Sequence, residues 1–492
     1  MKHLNQRKMS EKENLINRRE FLKTAGAAAV ATSAVLSACN SNEQQQSYKT
    51  TIPEPPTDKM TYRTNPKTGD KISLLGFGMM RLPIEGGGSG RENPDSPIDQ
   101  DMVNKQVDYA IGHGVNLFDT SPAYCQGRSE KSTGIALHRY PRDKYFVSTK
   151  LSNFNPATWS LESGKEMFNN SLKELQIDYV DFLLLHAIGG TSERPNAQGI
   201  NEQLDSKQTL YARYIDNGLL DWLVGQQKQG KIKNLGFSYH GDIKMFDLLL
   251  QWHDEGKYHW DFVLIELNYL DWKHASEINP RNTNAEYLYT ELEKRGIPSL
   301  IMEPLLGGRL AKVPDFIFKK MKSRDPEHSI ASWAMRYAGS PKGVLSVLSG
   351  MTYLENVKDN INTYAPLKPV SEEEKQFLEE VADDIVGLNT IPCNDCKYCM
   401  PCPYGIDIPA IFVHYNKCIN EGNMAQSSQH PEYEKQRRAF LVGYDRSVPR
   451  LRQASHCVGC HQCEWHCPQK IKIAEELQKV DKYVEALKQG KL

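Results

Sequence analysis

The feature that most constrains this chain is an alternation. Between about residues 70 and 362, short apolar runs take turns with longer amphipathic stretches. The strand-like runs cover residues 72–78, 116–121, 145–150, 179–186, 232–240, 262–268, 299–305 and 344–350. Helical periodicity between them is clearest at 101–112, 165–175, 219–229, 284–295 and 329–337. Eight strands alternating with helices over roughly 290 residues is the count and size of a closed parallel (β/α)8 TIM barrel. A doubly wound open sheet is the competing α/β arrangement. It is disfavoured because no Gly-x-Gly-x-x-Gly follows the first strand.

At 492 residues the chain is too long for one ordinary core. The barrel accounts for residues 61–365. Residues 366–391 read as a linker, and 392–492 as a small, mostly helical domain. With 25% charged residues and a net charge of −1, nothing points to nucleic acid or an acidic membrane surface as a partner.

Barrels of this kind do their chemistry at the C-terminal ends of the strands. Those ends carry Asp119 and Tyr124 after the second strand, Lys150 closing the third and His186 closing the fourth. Singly, each has an ordinary reading as a helix cap, a solvated cation or a structural histidine. On successive strand ends they form a set.

Here the sequence resembles the aldo-keto reductases, from residue 61 to about 365. The matching residues are Asn116-Leu117-Phe118-Asp119-Thr120-Ser121, Tyr124, Ser129-Glu130, Thr149-Lys150, Asp181-Phe182-Leu183-Leu184-Leu185-His186, Gly230-Lys231-Ile232, Leu235-Gly236-Phe237-Ser238 and Gly350. The resemblance implies interconversion of a small carbonyl substrate and its alcohol, with hydride exchanged with a nicotinamide nucleotide, NAD or NADP. Chemistry gives the four groups independent roles. Hydride arriving at a carbonyl carbon leaves an alkoxide that needs a proton, and Tyr124 is the natural donor. Lys150 is expected to lower its pKa, Asp119 to hold Lys150, and His186 to hydrogen-bond the substrate oxygen.

The cofactor side follows the family less closely. Ser238 stands where a serine contacts the nicotinamide amide, but the next residue is Tyr239 rather than asparagine. Leu264 replaces a glutamine. Met302 stands where an aromatic ring stacks on the nicotinamide; its sulfur can pack on a flat ring, and core filling is the plainer alternative. Gly350, Thr352, Asn356 and Asn360 follow the last strand as a phosphate cradle. Thr352 replaces the cation that binds a 2′-phosphate, so no NADP preference follows.

Nine of the eleven cysteines lie between Cys393 and Cys467. Cys457-x2-Cys460-x2-Cys463-x3-Cys467-Pro468 is the bacterial ferredoxin run, which predicts a [4Fe–4S] cluster over the alternative of zinc. Cys393-x2-Cys396-x2-Cys399-x2-Cys402-Pro403 is nearly the same, with its last gap one residue short. By the rule of two-cluster ferredoxins, Cys467 joins Cys393, Cys396 and Cys399, while Cys402 joins Cys457, Cys460 and Cys463. Cys418 reads as a buried thiol, and Cys125 as either a reactive thiol or a small filler. His456, His461 and His466 are expected to face solvent or cap turns. Residues 403–456 read as a mostly helical insert whose basic stretch, 435–452, is a solvated face. The composite resembles aldo-keto reductases with a C-terminal ferredoxin-type domain. That domain is expected to cover part of the barrel mouth, and the loops 85–97 and 187–205 to line the substrate pocket.

The N-terminus supplies an address. Asn17-Arg18-Arg19-Glu20-Phe21-Leu22-Lys23 resembles the twin-arginine export signal, which carries folded proteins. Leu36-Ser37-Ala38-Cys39 is similar to a lipobox, with Cys39 the lipidated residue. Residues 1–39 thus read as a signal peptide and 40–60 as a tether. The expectation is a periplasmic or cell-envelope lipoprotein, attached to membrane only through lipid. Two functions remain open at this point. One is an exported oxidoreductase whose clusters exchange electrons with a partner protein. The other is an iron–sulfur carrier or binding protein whose barrel has lost nicotinamide chemistry.

Overall fold

The computed structural model describes residues 52–492, apart from 92, 94, 196–200, 280–281, 389 and 468. The export signal, Cys39 and residues 40–51 of the expected tether lie outside the described residues. Eight strands close into a barrel: β3 (Leu75–Gly78), β4 (Leu117–Asp119), β5 (Phe146–Leu151), β6 (Val180–Ile188), β9 (Ile232–Tyr239), β10 (Phe262–Glu266), β11 (Ser299–Met302) and β12 (Val344–Gly350). Every neighbouring pair is parallel, and β12 pairs back onto β3. The open sheet is thereby excluded.

Alternation along each strand explains what fills the lumen. Leu117, Phe182, Leu184, Phe262, Leu264, Leu300 and Leu348 form one buried cluster inside the barrel. Phe182 and Phe262 meet edge to face at 5.1 Å. A period of two then carries the next inward position of each strand up to the C-terminal mouth. After Leu117 comes Asp119, after Leu184 comes His186, and after Leu300 comes Met302. Gly236 is needed in this packing, because a Cβ there would lie 2.2 Å from the Phe262 carbonyl oxygen. Outward-facing residues such as Phe118, Leu183, Leu185 and Phe237 pack under the surrounding helices.

The expected first strand, 72–78, is two elements. Its start belongs to β2 (Lys71–Ser73), which pairs antiparallel with β1 (Tyr62–Thr64). This hairpin seals the N-terminal end of the barrel: Ile72 joins the lumen cluster, and Asn65 Nδ2 donates to Asn234 Oδ1 at 3.1 Å. An apolar run cannot by itself reveal the change of direction at Leu74. The insert after His186 forms another antiparallel pair, β7 (Ser192–Pro195) and β8 (Asn201–Leu204).

The described part of the expected tether and the expected linker are both docked on the barrel. Asn362 Nδ2 donates to the Pro53 carbonyl at 2.8 Å, Lys358 pairs with Glu54 at 2.6 Å, and Met60 is buried. Within the expected linker, Ser371 caps a helix at Glu372–Val386, and Glu374 returns a bond to the Ser371 N–H. Phe377, Leu378 and Val381 bury against the barrel's outer core, while Arg336 pairs with Glu374 at 2.7 Å.

Helices Ile408–Asn420, Tyr433–Ser447 and Ile473–Gln489 enclose a separate core that includes Phe412, Phe440, Tyr444, Val480 and Val484. This C-terminal module lies against the barrel mouth, as expected. Arg309 donates to Thr390 at 3.1 Å, and the Arg91 guanidinium sits 5.6 Å from the centre of the Tyr398 ring. A Cβ on Gly307 would lie 2.5 Å from that of Asn394. None of the described helices is long and apolar enough to cross a membrane.

Candidate active site

The four polar groups named from strand ends converge. Lys150 Nζ lies 2.6 Å from Asp119 Oδ1, with only 1% and 5% of the two side chains exposed. The same ammonium donates to the Thr120 carbonyl at 2.8 Å, and Ser148 Oγ donates to Asp119 Oδ2 at 2.7 Å. Tyr124 opens a short 3-10 turn just beyond β4. Its ring lies under Lys150 Nζ, 4.7 Å from the centroid, and meets His186 edge on at 6.1 Å. His186 Nδ1 shares a 2.6 Å hydrogen bond with Ser152 Oγ, which fixes the ring plane.

Electrostatics differ from the sequence expectation at Tyr124. Burial pushes the phenol well above its ordinary value, and the Asp119 charge adds to the effect. Lys150 does not reverse this, since its charge is largely matched by Asp119 beside it. Lys150 itself is lowered by burial, with Asp119 opposing the shift. His186 is held well below the ordinary imidazole value, first by burial and then by Lys150. The site therefore presents a protonated phenol next to a neutral imidazole.

All six residues named for the cofactor line the same cavity, of about 380 Å³, as the four polar groups. Ser238 Oγ already accepts from the Ala187 N–H at 2.8 Å. Thr352 Oγ1 donates to the Arg81 carbonyl at 2.9 Å. Asn356 accepts from the Tyr353 N–H at 3.1 Å at the start of helix Leu354–Tyr364, and Asn360 donates to Ser349 at 3.0 Å. Met302 and Leu264 form an apolar part of the wall.

Reading strand ends missed Glu303, His240 and Ser152. Glu303 sits just past β11 at φ 51° and accepts from the Gly307 N–H. Arg91, from the loop expected to line the pocket, does line it. The other expected loop does not: no described residue of 187–205 reaches this cavity, and Glu193 and Arg194 line a separate groove with Pro156 and Trp159. Strand pairing in β7–β8 turns that insert along the surface.

The cysteines gather in two groups. Cys393, Cys396, Cys399 and Cys467 line one small hollow. Cys463 lies close enough to Cys402 and Cys460 for their charges to bear on its ionisation. Burial pushes the Cys393 and Cys463 thiols up to about 12. Among the described residues, no three His, Cys, Asp or Glu side chains converge on a single ion position. Cys418 is buried against His414, and Cys125 is buried with its thiol 3.5 Å from the Met80 carbonyl oxygen. His456 contacts the Arg450 carbonyl at 3.1 Å, and His461 pairs with Glu464 across one turn.

Comparison with known proteins agrees with the barrel. Residues 74–383, well over half of the chain, match the Aldo/keto reductase family. L-galactose dehydrogenase of Arabidopsis thaliana is 25% identical over 337 residues, covering 65% of this chain and 93% of the relative. An uncharacterized oxidoreductase of Bacillus subtilis, YqkF, is 25% identical over 335 residues, covering 64% and 94%. Among solved structures, the holo form of an aldo-keto reductase from Bacillus halodurans is similar at 20% identity and a TM-score of 0.48, covering 65% of this chain and 96% of that one. With the closed barrel, the four converging polar groups and this family match in hand, the chain belongs to the aldo/keto reductase family and is an aldo-keto reductase-like oxidoreductase.

Proposed function

We propose that the barrel interconverts a small carbonyl compound and its alcohol at Tyr124 with a nicotinamide nucleotide, and that the C-terminal module holds two [4Fe–4S] clusters. The observation that carries the first part is the placing of Asp119, Lys150, Tyr124 and His186 in one cavity with Gly350, Thr352, Asn356 and Asn360. These residues fit a dinucleotide: a polar catalytic end, an apolar wall at Met302 and Leu264, and a glycine-led helix start suited to phosphate. When bound, the nucleotide supplies or takes the hydride. Tyr124 keeps its proton until an alkoxide oxygen develops beside it, then donates it. The neutral His186 ring orients the carbonyl oxygen. Lys150 stabilises the phenolate that results, and Asp119 holds Lys150 in place across 2.6 Å.

The donor set supports the clusters. Four thiols around one hollow, three at x2 spacing and one from 68 residues beyond the last of them, match the crossed pairing expected of two-cluster modules. Thiols buried and crowded together ionise only against a compensating cation. Bound clusters carry single electrons, to or from a partner redox protein. The Arg18-Arg19 and Cys39 patterns support export of the folded holoprotein and lipid attachment at the cell envelope.

A second reading has two observations behind it. Leu264 is buried in the lumen cluster where amide recognition is expected, and Ser238 Oγ is already engaged. That would suit a barrel without nicotinamide chemistry, its clusters serving as the only redox centres. Anaerobic purification of the full chain separates the two. The expected result is co-purified or added NAD(P)H oxidised by a carbonyl, with Tyr124→Phe lowering kcat by about 10²- to 10⁴-fold while the fold is kept. Reducible clusters without nucleotide binding would support the second reading, and zinc in place of iron would overturn the cluster assignment.

A further inference from the structure

We infer that Arg91 is an anion-recognising residue of the barrel cavity and that the carbonyl substrate carries a carboxylate. The inference deepens the carbonyl reading above and rests on it. Arg91 lies in the loop between β3 and helix Gln100–Gly112 and lines the same cavity as Tyr124 and His186. Its Nε is buried without a hydrogen-bond partner. Its Nη1 reaches the thioether sulfur of Met80 at 3.4 Å, and the Cys396 sulfur also lies within hydrogen-bonding reach of the guanidinium; both are weak acceptors. Among the described residues it makes no ion pair within 4.0 Å. Tyr398 covers one face of the guanidinium, and Cys396 and Glu303 lie within electrostatic range.

Glu303 supports this charge from beyond ion-pair distance, and the other carboxylates near the cavity are hydrogen-bonded elsewhere. Asp119 holds Lys150 and Ser148. Glu303 accepts from the Gly307 N–H. Asp359 accepts from Ser329 at 2.6 Å. A sequestered guanidinium with an unfilled N–H is costly, and a planar carboxylate is the acceptor its fork fits best. A phosphate of the nucleotide is the rival occupant. Its expected cradle is at the Gly350–Asn360 side, where Arg81 packs within 3.4 Å of where a Gly350 Cβ would sit. A carboxylate at Arg91 would instead anchor a substrate whose carbonyl lies between Tyr124 and His186.

The test is calorimetric titration of the anaerobic full chain with phenylglyoxylate and succinic semialdehyde, each against its methyl ester. Arg91→Met and Arg91→Lys are titrated alongside, and NADPH binding is measured in all three proteins. The acids should bind about 10- to 100-fold more tightly than the esters in the wild type. Arg91→Met should abolish that preference and leave ester and NADPH affinity unchanged, with Arg91→Lys between the two. A preference that survives Arg91→Met, or a loss of NADPH affinity in that variant, overturns the inference while leaving the carbonyl reading intact. If neither acids nor esters bind or are reduced, the carbonyl reading fails and takes this inference with it.

Discussion

Replacing Asp119 by asparagine keeps the shape of the site and removes one charge from a sealed pair. Lys150, with 1% of its side chain exposed, then has two escapes. If it stays charged, removal of one partner of a buried pair costs about 3–5 kcal/mol. If it sheds its proton, the cost at pH 7 is that of neutralising a lysine whose free pKa is about 10.4, about 4.6 kcal/mol at about 1.36 kcal/mol per unit. The two routes agree, so Asp119→Asn should lose about 3–5 kcal/mol at pH 7. They part as pH rises. On the second route the unfolded chain binds a proton that the folded chain has released, so stability rises with pH up to the free lysine value. The deficit should shrink to about 2 kcal/mol at pH 9. In the wild type burial already lowers Lys150, but Asp119 opposes it, so the corresponding window lies at higher pH. Anaerobic urea unfolding of wild type, Asp119→Asn and the Asp119→Asn/Lys150→Met pair at both pH values measures this. The double variant, with no ammonium to neutralise, should show a pH-independent difference. An Asp119→Asn deficit equal at pH 7 and 9 would refute the reasoning.

Further predictions concern the chemistry, the junction and the cysteines. Tyr124 must be protonated and His186 neutral for carbonyl reduction. The first is pushed above the ordinary value of about 10 and the second below about 6.5, so kcat should be flat between those limits, and a steep ionisation near pH 8 would contradict the assignment. Gly307→Val combines a positive φ of 66° with a Cβ 2.5 Å from that of Asn394; it should loosen the module and speed limited proteolysis between barrel and module. Cys467→Ala should abolish the same electron paramagnetic resonance signal as Cys396→Ala, whereas Cys402→Ala should abolish the other; matching losses for Cys467 and Cys460 would refute the crossed pairing.

What could be read from the sequence was whatever obeys a short period. Asp119 and His186 sit one step of two beyond the lumen-filling Leu117 and Leu184, and Lys150 one such step beyond the buried Ser148, so the alternation that identifies the strand also identifies the mouth. Tyr124 was found only because it follows Asp119 at short range. Glu303 and Ser152 lie in turns, where no period operates and the direction of a side chain depends on contacts remote in sequence. The direction of the Tyr124 shift was misjudged for a related reason. The neighbouring cation is visible in the sequence, but the burial that outweighs it exists only after the chain has closed.

The cysteine module shows the same division within one loop. Three cysteines at x2 spacing on a tight loop turn their sulfurs to one side, which is what makes the motif readable. The intervening residues must then point to the other side, and nothing local says what they meet. In the folded chain that other side is the barrel mouth: Tyr398, between Cys396 and Cys399, lies on Arg91, and Asn394, between Cys393 and Cys396, fills the space beside Gly307. Both contacts join positions separated by more than 80 residues, and each partner taken alone looks like ordinary loop sequence. The spacing that gathers the thiols around one hollow therefore also presents Tyr398 and Asn394 to the barrel, where they pack against Arg91 and Gly307, two residues that line the barrel cavity.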